Sequence, residues 1–122
     1  VRAWIIIGRE GPPMMIDADV QITAKRWGLD ARLLQAVVTS EGDILRAVQC
    51  SLPNTRTRQD ALDITCRSCV HALRDFVVSY GFGPTFIEFW GHRWAPDGAA
   101  NDPHGLNKNW ILNVSQLWLG KS

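Results

Sequence analysis

The sequence predicts a mainly α domain with one small irregular or hairpin-like segment. Apolar residues recur at spacings of three and four along most of the 122 positions, as in helices that bury one face. These stripes are interrupted by Gly, Pro, Asn and Asp, the residues that end helices and form turns. A balance of 46% hydrophobic and 20% charged residues is ordinary for a globular chain with a real core. Residues 1–15 are expected to form an N-terminal arm and residues 16–122 a single domain.

Taken in order, the arm VRAWIIIGREGPPMM reads as a short β-prone run followed by a Gly/Pro turn. Asp17 then caps a helix running to about Trp27, with Ile16, Val20, Ala24 and Trp27 on its apolar face and Gly28 at its end. A second helix spans Asp30 to Glu41, with Asp30 as N-cap and Leu34, Val37 and Val38 on one face. Residues 43–57, DILRAVQCSLPNTRT, carry short alternation and then Pro53 and Asn54, which suggests the irregular or hairpin-like excursion. The longest helix starts at Thr57, with Asp60 in a variant capping box. It buries Leu62, Cys66, Cys69, Leu73, Phe76 and Val77, and stops at Tyr80-Gly81-Phe82-Gly83-Pro84. A shorter helix covers Thr85–His92. A polar loop follows, and a last helix from about Asn107 to Leu119 packs through Trp110, Val114 and Leu117.

Composition narrows the function. A net charge of +1 argues against a general electrostatic grip on nucleic acid or anionic lipid. No membrane span is expected, and the run Trp4–Ile7 is too short for a signal-peptide core. The three cysteines read as small buried residues, with a disulfide from Cys50 to the long helix as the alternative. Cys66, Cys69 and His71 resemble a fragment of a metal site but lack a second Cys-x-x-Cys, so neither metal nor organic cofactor is expected.

The residue with chemistry to offer is Glu41. It follows Leu34 by seven, Val37 by four and Val38 by three, so it points with the apolar stripe. Apolar surroundings and the negative end of the helix dipole both disfavour its ionised form. A carboxylic acid still protonated near neutral pH is the proton donor that glycosidic cleavage requires; the competing reading is a solvated residue at a frayed helix end. Gln49, Ser51, Asn101 and Asp102 are candidate hydrogen-bonding partners for a sugar, and Tyr80 and Trp94 candidate stacking surfaces. Plainer roles compete here too: Asp102 in an Asn-Asp-Pro turn and Trp94 as a loop anchor.

The stretch Ala24–Glu41, AKRWGLDARLLQAVVTSE, resembles the opening of the lysozyme-like superfamily, particularly lytic transglycosylases. There a helix, a Gly-Leu-Asp turn and a second helix lead to the catalytic glutamate. Arg93-Trp94-Ala95-Pro96 with Asn101-Asp102 resembles a segment of lysozyme-like phage and prophage proteins. The resemblance implies a compact lysozyme-like fold that cleaves the β-1,4 link between amino sugars of peptidoglycan glycan strands. Glu41 would act as general acid and then base, at the bacterial cell wall and in a phage or prophage setting. Gly42 stands where the family usually has serine, and no Gly-Leu-Met-Gln signature follows. Two other readings are carried forward. One is an inactive lysozyme-like part of a phage or secretion particle. The other is a helix-turn-helix over Ile22–Leu34, with Arg32, Gln35 and Thr39 facing DNA.

Overall fold

A computed structural model describes residues 14–78, 86–95 and 107–119. Within them the chain forms six helices and no strand: α1 (Ala18–Trp27), α2 (Ala31–Glu41), α3 (Ile44–Gln49), α4 (Arg58–Val78), α5 (Phe86–Trp94) and α6 (Lys108–Leu119). The protein is mainly α. None of these helices is long and apolar enough to cross a membrane. The arm lies almost wholly outside the described residues, as do Tyr80 and the Gly81–Pro84 stop.

Helix α1 ends where the sequence says it must. Gly28 takes a left-handed φ of 70°, and the Leu29 N–H donates to the Ala24 carbonyl at 2.8 Å, closing the terminal carbonyls of the helix. Asp17 occupies the N-cap position, but its side chain makes no capping bond. It is drawn instead to Arg58 at 2.8 Å.

Helix α2 is the centre of the molecule. The Asp30 carboxylate accepts from the Arg32 N–H at 3.0 Å and caps it. Every residue from Leu33 to Val38 is buried, Gln35 included, so this helix is enclosed rather than half-exposed. It packs against α1, α3 and, most extensively, α6. Gln35 is satisfied internally: its carbonyl oxygen accepts from the Asp17 N–H at 2.9 Å and its amide donates to the Thr39 hydroxyl at 3.2 Å. Of the residues read as facing DNA, Gln35 therefore faces inward and Arg32 donates to the Trp118 carbonyl, while Thr39 is exposed.

The corner after α2 corrects the hairpin expectation. Gly42 has φ 78°, and Asp43 accepts from the Arg46 N–H at 3.2 Å, so that α3 starts only three residues after Glu41. Ile44 and Val48, four apart, are buried, which is helical rather than strand spacing. Residues 50–57 are turns, held by Gln49 Nε2 donating to the Thr55 carbonyl and the Thr55 hydroxyl donating to the Leu52 carbonyl. Cys50 lies here and is exposed. The expectation of three buried cysteines therefore holds only for Cys66 and Cys69, and all three are free.

Helix α4 begins with the expected cap, Thr57 Oγ1 accepting from the Asp60 N–H at 3.0 Å. It buries Leu62, Thr65, Cys66, Cys69, Ala72 and Leu73 against α1, α3 and α5. Burial pushes the Cys66 thiol up to about 12 and the Cys69 thiol further still, so both behave as packing residues and not as nucleophiles. Helix α6 closes the structure over α2 and α5. Its buried set is Trp110, Val114 and Trp118. Leu117 is half-buried and packs against the core, so the predicted face holds and Trp118 is added to it.

Candidate functional site

Glu41 is the last residue of α2, at the point where an enclosed helix reaches the surface. Its side chain is half-buried and is met by Trp94 at the end of α5, whose indole Nε1 donates to Glu41 Oε2 at 3.3 Å. The two residues are 53 positions apart. Burial raises the Glu41 carboxyl above its ordinary value of 4.5, while the Trp94 N–H acts in the opposite direction and does not cancel it. The net direction is upward, and the carboxyl is held by one oxygen.

Three tryptophans form the wall behind this contact. Trp94 packs edge-on to Trp90, with ring centres 6.0 Å apart, and lies beside Trp110 at 6.5 Å. Trp90 meets Trp110 at 5.4 Å, also edge-on, the arrangement that ring quadrupoles favour. Trp90 is anchored through Nε1, which donates to Ser68 Oγ of α4 at 3.0 Å. Gly91 allows α6 to approach this cluster: a Cβ there would come 2.5 Å from Ile111 Cγ1 and 3.0 Å from Trp110 Cε3. The backing of Glu41 is therefore shared among α4, α5 and α6.

The other predicted site residues fare differently. Trp94 reaches Glu41 through its indole N–H. Gln49 lies at the far end of α3 and is engaged with the Thr55 carbonyl; Ser51 is exposed in the turn that follows. The Ser51 N–H donates to the Val48 carbonyl at 3.1 Å. Tyr80, Asn101 and Asp102 lie outside the described residues. Asp43, the nearest carboxylate in sequence, is occupied in capping α3.

Two surface grooves lie elsewhere on the molecule. One, of about 460 Å³, runs between Leu52–Thr55 and the outer face of α4, past Asp60, Asp63 and Arg67. The other, of about 370 Å³, is at the α1–α2 turn, lined by Ile16, Gln21, Lys25, Leu29, Asp30 and Arg32. Neither includes Glu41. Among the described residues no cluster of His, Cys, Asp and Glu is arranged to hold a metal ion.

Sequence reasoning missed the partner of Glu41 and the role of Trp118, whose indole N–H donates to Asp30 at 2.8 Å. Such pairings leave no local spacing signal; the surplus of tryptophan is the one feature of the sequence that hints at them. No protein-family model matches the chain, and no curated protein or solved structure does. What the chain does has to be inferred from its own residues.

Proposed function

We propose that this domain cleaves the β-1,4 glycosidic link of peptidoglycan, with Glu41 as general acid and then general base. The observation that carries the reading is the Glu41 carboxyl itself: half-buried at a helix end, raised by burial, and touched by the Trp94 indole N–H. In the forward step Glu41 gives its proton to the glycosidic oxygen as the C1–O bond breaks and its electron pair passes to that oxygen. The resulting carboxylate then takes a proton from the hydroxyl that attacks C1. In a hydrolase this hydroxyl belongs to water. In a transglycosylase it is the sugar's own 6-hydroxyl, and no second carboxylate is needed. Asp43 itself is engaged in capping α3.

Binding of the sugar is assigned to Gln49, Ser51, Tyr80, Asn101 and Asp102, with peptidoglycan glycan strands as substrate and the bacterial cell wall as the place of action. The resemblance of the Ala24–Glu41 stretch to lytic transglycosylases supports this assignment, as does the segment around Trp94 for a phage or prophage origin. Mass spectrometry of purified peptidoglycan incubated with the protein tests it. Fragments ending in anhydro sugars identify a transglycosylase and those with reducing ends a hydrolase. Absence of any released fragment contradicts both and favours an inactive scaffold.

A further inference from the structure

We propose that Trp94 is the positioning residue for Glu41: its indole N–H engages Oε2, so that the transferable proton is carried on Oε1. A neutral carboxyl has one carbonyl oxygen and one hydroxyl oxygen, and the carbonyl oxygen is the stronger acceptor. With the Trp94 N–H 3.3 Å from Oε2, the favoured form places the carbonyl at Oε2 and the O–H at Oε1. Glu41 then presents a defined donor atom in place of two interchangeable ones.

The indole is able to hold that position because it is itself held. Trp90 and Trp110 pack against it, Trp90 is tied to Ser68, and Gly91 brings α6 close enough for Trp110 to take part. A ring held in this way offers its N–H edge to Glu41. In this role Trp94 acts through Glu41.

Among the described residues, two of the neighbouring charges are engaged elsewhere. On the adjoining elements the charged and titratable residues are Asp43 and Arg46 of α3, Glu88, His92 and Arg93 of α5, and Lys108 of α6. Asp43 caps its own helix and Arg93 is paired with Asp75 at 2.6 Å. Among the described residues, the influences acting on the Glu41 carboxyl are its burial and the Trp94 N–H.

The catalytic half of this inference rests on the glycosidase reading, whereas the hydrogen bond can be tested without activity. In a ¹⁵N-edited spectrum of the whole protein, the Trp94 indole resonance should move downfield as pH rises, with a midpoint above 4.5. In Glu41→Gln that movement should vanish. Trp94→Phe keeps a ring and removes the N–H. It should lower kcat about ten- to a hundredfold, leave KM within about twofold, and move the alkaline limb of the rate profile to higher pH, since the lost bond had favoured ionisation. A Trp94 resonance that does not titrate, or that still titrates in Glu41→Gln, overturns the proposal. So does a Trp94→Phe variant that raises KM and spares kcat, the behaviour of a stacking surface. Wild-type peptidoglycan cleavage by Glu41→Gln would instead overturn the glycosidase reading, leaving the spectra to decide the bond.

Discussion

A single carboxyl carries the chemistry proposed for this protein, and its energetics have a definite sign. Because burial raises the Glu41 pKa in the fold, the native state retains this proton to higher pH than the unfolded chain. The associated stabilisation is fully present below the ordinary value of 4.5 and is lost as pH rises through the folded pKa. Replacing Glu41 by Gln removes the titration while preserving an oxygen for Trp94 to bond. Thermal unfolding should therefore occur at higher temperature in Glu41→Gln than in wild type at pH 7, with the gap closing toward pH 4. Equal midpoints at both pH values would show that the carboxyl is not desolvated. Surface carboxylates behave oppositely: Asp19 is held below its usual range first by hydrogen bonding to Arg58, and Asp75 by Arg93. The inward direction of Glu41 was legible because its spacing from Leu34, Val37 and Val38 sets it on the buried stripe. Its partner was not, since no local pattern relates Glu41 to a tryptophan 53 residues later.

At the scale of elements, two glycines decide whether the site can be assembled, for different physical reasons. Gly42 turns the chain between α2 and α3 with φ 78° and ψ −58°, and a Cβ there would meet nothing within 4 Å. Gly42→Ala is expected to destabilise by about 1–2 kcal/mol through backbone strain alone, measured by denaturant unfolding. Gly91 has ordinary helical geometry but sits against Ile111. Gly91→Ala must displace the Ile111 side chain and loosen α5 against α6, and a loss of about 1–3 kcal/mol is expected. A Gly91→Ala variant as stable as wild type would mean that the tryptophan wall does not depend on this approach. Helix ends were well read from sequence wherever punctuation was local, as at Asp30, Thr57 and Gly28. The segment after Asp43 was misread because six helical residues are too few to show a period against the Pro and Asn that follow. The face of α6 was read through Trp110, Val114 and Leu117, but not Trp118, whose burial depends on the position of α2.

For the molecule as a whole, the enclosure of α2 is what turns separate helices into one domain. Helix α6 comes from the end of the chain yet packs most extensively on α2, and Asp30 fastens the two by capping α2 and accepting from Trp118 at 2.8 Å. Asp30→Ala removes the cap and leaves a part-buried indole N–H without its acceptor, so a cost of about 2–3 kcal/mol is expected from calorimetry or denaturant unfolding. A negligible cost would mean that hydrophobic packing alone seats α6. The mainly α architecture followed from stripe spacing. The closure of last helix on second did not, because it depends on contacts distant in sequence. The most direct measurement of the central claim compares wild type and Glu41→Gln for the rate of soluble glycan release from purified peptidoglycan, at the pH of maximal wild-type activity. A general acid predicts a loss of about a hundredfold or more in a fully folded variant; release at the wild-type rate would contradict it.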